Sequence, residues 1–191
     1  MGKHLKETKK KPKEKTDSVS ELYYWAQALA LALTVLVFIN TFFFRLSGVI
    51  GSSMFSTLEQ GDQLVLQIVG YDEPQRGDIV VCTSDGFAGE ALVKRVIAVA
   101  GDTVDIDAQG NVVVNGETLY EPYIYEPIDR DHRGDQHYPV TVQEGCLFVM
   151  GDNRNGSTDS RYSMVGQISC QRVIGKVLFR FWPITKIGVV Q

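Results

Sequence analysis

The longest apolar run of the chain extends from Leu22 to Phe44 and contains 23 residues without a charge. A helix of this length would extend roughly 35 Å at about 1.5 Å per residue, enough to cross a bilayer core of about 30 Å. Tyr23, Tyr24 and Trp25 stand at its start, and such residues favour the headgroup region of a membrane. The run therefore predicts a transmembrane helix.

A cleaved secretory signal is the competing interpretation of this run. Such signals have an apolar core of only about 7–15 residues, followed by a cleavage site made of small residues. Here the run is longer, and it ends in three phenylalanines and an arginine at residues 42–45. We therefore interpret residues 22–44 as an uncleaved membrane anchor.

Beyond the anchor, short apolar runs rich in Val and Ile alternate with turn residues, which is typical of β-strands. Asn115-Gly116 follows three valines and indicates a tight hairpin. No amphipathic helical pattern is recognisable in this part of the chain. Residues 45–191 are therefore expected to form a mainly β, antiparallel domain. The candidate strands are Gln63–Val69, Asp78–Thr83, Ala91–Val99, Thr103–Asp107, Asn111–Val114, Cys146–Met150 and Val173–Phe181.

Charge is distributed unevenly around the anchor. Residues 1–21 contain seven lysines and four acidic residues, whereas the rest of the chain holds 12 basic and 19 acidic residues. Lysines that flank a span tend to stay in the cytoplasm, so we expect a cytoplasmic basic segment at 1–21 and an extracytoplasmic domain after Phe44. The basic segment can contact anionic lipid. The acidic balance of the outer domain argues against nucleic acid as a partner.

Neither the cysteines nor the polar loop at Glu121–Pro139 suggests a metal site. Cys82, Cys146 and Cys170 form no CxxC pair, and at most one internal disulfide is possible. We interpret them as small apolar residues in or near strands. The loop carries several Asp and His residues without recognisable ligand spacing, so it is expected to be a solvated loop.

Lys94 is the candidate base of the outer domain. Strand alternation over residues 91–99 places it on one face with Leu92 and Val96, where poor solvation would lower the pKa of its amine. A snorkelling or ion-paired lysine is the alternative interpretation. Histidine is a weaker candidate, because His132 and His137 lie in the polar loop.

Ser53 is the candidate nucleophile. It follows Gly51-Ser52 only nine residues after the anchor, so it should lie near the outer membrane surface. A glycine just before a nucleophile allows the substrate backbone to approach closely. Taken alone, this motif is common and is equally compatible with a linker serine.

Residues 45–191 resemble the type I signal peptidases, which are membrane-bound serine proteases with a Ser/Lys dyad. The resemblance rests on four ordered motifs and a closing strand. These are Gly51–Leu58, Arg76–Val81, Leu92–Ile97 continuing to Gly101-Asp102, Gly151–Arg161, and Phe181-Trp182-Pro183. The single N-terminal anchor resembles the one-span forms common in Gram-positive bacteria.

The resemblance implies that Ser53 attacks the scissile carbonyl, that Lys94 accepts its proton, and that the amide of Ser53 stabilises the oxyanion. The supporting residues it implies are Ser157, which would orient the lysine, the pair Asp159 and Arg161, which would brace the loop, and Asp152. The implied lining of shallow substrate pockets is Val49, Met54, Leu58, Leu92 and Val93.

Four departures from the family pattern are visible. Gly51 provides no side-chain donor to the oxyanion, and Ser56 replaces the usual proline. Asn155 occupies a position that is often Asp. The stretch between the base strand and the last motif is short, so the accessory subdomain, at about 103–145, is expected to be small.

The implied activity is removal of signal peptides from exported preproteins by cleavage after small residues at −1 and −3, without a metal or organic cofactor. Preproteins, membrane lipid and the export machinery are the implied partners. One alternative is a dedicated Ser/Lys peptidase for a pilin or surface protein. Self-cleaving repressors share the dyad but have a DNA-binding head instead of an anchor. An inactive, anchored β-module that binds envelope proteins is the alternative from a different class.

Overall fold

The computed structural model describes residues 18–87 and 89–190. Helix α1 spans Ser18–Phe42 and, by length and a mean hydropathy of 1.9, could cross a membrane. It ends before the predicted anchor does, because Phe44 already pairs with Gln67 in a sheet. Residues 1–17, which make up most of the predicted basic segment, lie outside the described part of the chain. The chain divides into one unit that ends at Ile39 and another that begins at Asn40.

The second unit is built around a larger antiparallel sheet with strand order β1-β2-β11-β3-β4-β9-β10, and β12 also pairs with β11. Strand β2 alternates buried and half-buried positions, and β3, β4 and β9 are largely buried on both faces, which explains their content of β-branched residues. The strands are β1 (Phe44–Gly48), β2 (Gln63–Gln67), β3 (Ile79–Thr83), β4 (Ala91–Val99), β9 (Cys146–Met150), β10 (Ile168–Ser169), β11 (Val173–Trp182) and β12 (Gly188–Val189).

A smaller antiparallel sheet has the order β7-β6-β5-β8. Its strands are β5 (Thr103–Ile106), β6 (Val112–Val114), β7 (Glu117–Thr118) and β8 (Val140–Thr141), all within the interval predicted for an accessory subdomain. Asn115 and Gly116 connect β6 to β7 with φ values of 55° and 84°. Positive φ at both positions is the signature of a type I′ turn, so the predicted hairpin is confirmed.

The mainly β, antiparallel fold with one N-terminal apolar helix is confirmed, and each candidate strand is present with small changes at its ends. The sequence pattern missed β1, β7, β8, β10 and β12. Four of these are only two residues long, and so short a segment has no recognisable alternation. The smaller sheet packs through its valines on Ile97, Phe148 and Met150, so it covers one face of β4 and β9 in the larger sheet.

Candidate active site

Lys94 lies in β4 and is only 3% exposed. The strand places it opposite Val80 of β3, in the apolar layer that also holds Val96 and Cys82. Burial lowers the pKa of the Lys94 amine, an effect that the nearby carboxylate of Asp159 opposes. Burial also raises the pKa of Cys82 to about 12, so this thiol stays protonated beside the amine. The enclosure expected from the sequence is present.

The Lys94 amine donates a hydrogen bond to Ser157 Oγ over 3.1 Å. The Ser157 hydroxyl in turn donates to Asp159 Oδ2 over 2.7 Å. Because the single hydroxyl proton is directed at Asp159, the oxygen is left to accept from the amine. The two bonds together fix the direction in which the Lys94 side chain points.

Asp159 is fully buried and forms a two-point ion pair with Arg161, at 2.8 Å for Nε–Oδ1 and 2.9 Å for Nη2–Oδ2. Burial alone would raise the pKa of Asp159. The hydrogen bonds and charge of Arg161, the charge of Lys94 and the amide of Gly151 together hold that pKa below its ordinary value. The carboxylate therefore stays ionised and connects the brace directly to Ser157.

Asp152 belongs to a second buried ion pair, which the sequence did not indicate. Its carboxylate accepts two hydrogen bonds from Arg95, at 2.8 and 2.7 Å, and both side chains are at most 2% exposed. The Arg95 guanidinium also stacks 3.8 Å from the ring centre of Tyr123. The sequence feature that could have revealed this pair is Arg95 itself, a second cation directly after Lys94 in an apolar strand. Strand alternation turns the two side chains to opposite faces.

The loop that carries Ser53 is held from one side by Asn153. The Asn153 amide donates to the Ser53 carbonyl at 3.0 Å, and its side chain donates to the Ser52 carbonyl at 3.1 Å. Gly51 enters the loop with a φ of 87°, which favours glycine. Within residues 18–87 and 89–190 the N–H of Ser53 makes no hydrogen bond. It is therefore free to meet an oxyanion.

Gly151 shows how closely the Ser53 loop approaches Ser157, the hydrogen-bond partner of Lys94. A Cβ at this position would lie 2.3 Å from Ser157 Oγ and 2.4 Å from the Ser53 carbonyl oxygen. Only glycine fits there, and the two oxygens are within a few ångströms of each other. The structure thus brings the Ser53 backbone close to Ser157, which contacts Lys94.

A cleft of about 470 Å³ opens beside Ser53. Residues 91–93 form one wall; they pair with β3, whereas pairing with β9 begins only at Arg95. An extended peptide could therefore add to this free strand edge. Of the predicted pocket residues, Val49, Met54, Leu92 and Val93 line the cleft. Leu58 does not line it and is fully buried in the core next to Met54.

The expectation of a solvated loop at Glu121–Pro139 is wrong for part of that segment. The Glu121 side chain is only 4% exposed and pairs with Arg154 at 2.6 Å, while Ile128 joins the core of the smaller sheet. Apolar periodicity could not reveal the burial of Glu121, because that burial depends on its ion pair with Arg154. Among the described residues, no group of three or more His, Cys, Asp or Glu side chains could hold a metal ion.

Comparison with known proteins identifies close relatives. A family profile described as "signal peptidase, peptidase S26" matches residues 22–182. A probable signal peptidase I-1 of Synechocystis sp. is 39% identical, over 84% of this chain and 82% of the relative. Signal peptidase I of Bacillus licheniformis is 37% identical, over 90% and 95% respectively. A crystal structure of a signal peptidase I from Enterococcus faecalis is 31% identical with a TM-score of 0.45, covering 55% of this chain and 96% of that one.

Proposed function

Since this chain belongs to the S26 family of signal peptidases, which are serine peptidases, we propose that it removes signal peptides from exported preproteins with Ser53 as nucleophile and Lys94 as general base. The observation that carries this proposal is the buried amine of Lys94. Burial lowers its pKa, and its hydrogen bond to Ser157 orients it. A lysine of this kind is suited to accept a proton near neutral pH.

In the proposed mechanism, Ser53 Oγ attacks the carbonyl carbon of the scissile bond while its proton passes to Lys94 Nζ. The N–H of Ser53 donates to the oxyanion that forms. The lysine then gives its proton to the leaving amine as the C–N bond breaks. Water then attacks the carbonyl carbon of the resulting ester while Lys94 accepts its proton, and Lys94 returns that proton to Ser53 Oγ as the ester C–O bond breaks.

The lining of the cleft supports binding of uncharged side chains at −1 and −3, as cleavage after small residues requires. Met54, Leu92 and Val93 give it an apolar lining, and alternate side chains of an extended peptide point towards the same wall. A peptide added along residues 91–93 would present its −1 and −3 side chains together. A dedicated processing peptidase would share this chemistry and would differ only in its substrate.

Cleavage of a preprotein is the direct test of this proposal. The full-length protein in detergent should cut a preprotein that carries Ala-X-Ala before the mature sequence, and N-terminal sequencing of the product should place the cut after the second alanine. Ser53→Ala is the matched control and should give no product. An unprocessed preprotein, or a cut at another position, would contradict the proposed activity. An inactive binding module predicts that the preprotein stays unprocessed.

Helix α1 supports a membrane-anchored enzyme, and we propose that its N-terminus is cytoplasmic with the β-domain outside. Arg45 follows the anchor as the only basic residue before Arg76, whereas seven lysines precede it. Protease added to intact cells should therefore digest the domain after Phe44 and leave the lysine-rich segment protected. The opposite protection pattern would overturn the proposed orientation.

A further inference from the structure

Two aromatic side chains lie exposed beside the Ser53 loop. Phe55 follows Ser53 by two positions, and its ring packs edge-on against Tyr125, with centroids 5.3 Å apart. The side chains are 39% and 61% exposed. A single exposed aromatic residue is ordinary, but a paired surface next to a nucleophile is available to a bound substrate.

The position of this pair relative to Ser53 is fixed by the segment around Tyr123. Ser56 Oγ donates to the Tyr123 carbonyl at 3.3 Å. The Tyr125 amide donates to the carbonyl of Asp152. The next residue, Asn153, donates its amide to the Ser53 carbonyl. The aromatic pair is therefore held beside the Ser53 loop, directly through Ser56 and indirectly through residues 152 and 153.

The pair and the cleft border Ser53 in different places. The cleft is bounded by residues 47–50 and 90–93, together with Ser53, Met54 and Val81, and it includes neither Phe55 nor Tyr125. A substrate whose residues before the cleavage point fill the cleft must cross Ser53 and continue past the loop. The aromatic pair offers an exposed surface on this loop outside the cleft.

We propose that Phe55 and Tyr125 bind the first residues after the cleavage point and select for apolar over acidic side chains there. This inference rests on the proposed function and extends it to the leaving side of the scissile bond. Apolar side chains gain from contact with the two rings. Carboxylates are disfavoured, because the faces of aromatic rings carry partial negative charge. Glu126, exposed beside Tyr125, adds a like charge.

Two peptide series with the full-length enzyme in detergent test this inference. The first keeps Ala-X-Ala and carries either Leu or Asp at the two positions after the cut. The second keeps Leu there and varies −1 between Ala and Ser. The ratio of kcat/KM within each series is measured for wild type, Phe55→Ala, Tyr125→Ala and the conservative Tyr125→Phe. Tyr120→Ala is the matched control, because Tyr120 is an exposed tyrosine outside this surface.

We expect wild type to prefer Leu over Asp by about tenfold or more, since hydrophobic contacts of this size discriminate by about 10–200-fold. Both alanine variants should bring this ratio close to one and leave the −1 ratio unchanged. Tyr125→Phe and Tyr120→Ala should keep the wild-type ratios. Equal cleavage of both peptides by wild type, or a loss in the alanine variants that is the same for every peptide, would overturn the inference. Failure of wild type on all peptides would instead contradict the proposed function, and this inference with it.

Discussion

Replacement of Lys94 by arginine is expected to abolish peptide cleavage, although the positive charge is retained. A guanidinium stays protonated at every accessible pH and cannot accept the proton of Ser53. We expect initial rates to fall by about 10³-fold or more, because loss of one member of a nucleophile–base unit removes nearly all of its contribution. Ser53→Ala should be equally inactive, and the double variant should be no worse than either single one.

The matched control for this replacement is Lys176→Arg. Lys176 pairs with Asp78 at 2.6 Å and is one-third exposed, so arginine should preserve both its ion pair and the activity. Circular dichroism of each variant separates chemical inactivity from loss of the fold. Substantial cleavage by Lys94→Arg would contradict the Ser/Lys mechanism.

The assignment of Lys94 as general base also determines whether the cleavage rate rises or falls with pH. Lys94 accepts a proton only when neutral, and burial lowers its pKa below the ordinary value. The rate should therefore be low in acid and rise with pH through the pKa of Lys94 in the folded protein. His132→Ala and His137→Ala should keep this acid limb, and its disappearance in either variant would assign the limb to a histidine.

A consequence for stability follows from the same shift. Since the pKa of Lys94 is lower in the folded than in the unfolded chain, protonation of Lys94 favours unfolding. This cost is fully present below the folded pKa and disappears as the pH rises above the unfolded value of about 10.4. Lys94→Met should thus be inactive but no less stable than wild type near neutral pH.

Asp159→Ala is expected to lower activity and stability together. Arg161 would remain buried with its charge unpaired, which costs about 3–5 kcal/mol. For a protein of this size, the melting temperature should fall by roughly 10 °C, at about 2–4 °C per kcal/mol. Ser157 would also lose the acceptor that orients it, so Lys94 would no longer be held in one direction. Thermal unfolding and initial rates measure both effects.

The control and the pH dependence make this prediction specific. Asp85 forms an ion pair with Arg172 but is 87% exposed, so Asp85→Ala should change neither property measurably. Because the pKa of Asp159 is lowered in the folded state, its stabilisation is present above the unfolded carboxyl value of about 3.9 and is lost as the pH falls through the folded pKa. A wild-type melting point for Asp159→Ala would contradict the role of the brace.

The elements that the sequence predicted are those specified by neighbours along the chain. Helix α1 follows from an uncharged apolar run, β4 from nine residues rich in Val, Ile and Ala, and the β6–β7 hairpin from Asn115-Gly116. Each of these signals is local, because helix length, strand alternation and turn dihedrals depend on consecutive residues. The position of Lys94 within an apolar strand likewise predicted its burial and the direction of its pKa shift.

The tertiary structure decided the contacts between residues far apart in sequence. Arg95 and Asp152 are separated by 57 positions, and Arg154 and Glu121 by 33. The periodicity of the sequence does not show which of these charged residues form pairs. Two-residue strands such as β8 exist only because a neighbouring strand offers its backbone groups. Burial of a charge is tolerated only where its partner is also brought in. The sequence alone thus predicted the apolar helix, the main strands and the candidate base. Folding decided which cation pairs with Asp152 and with Glu121, and which aromatic residues lie beside Ser53, because those contacts join chain segments that meet only in the folded domain.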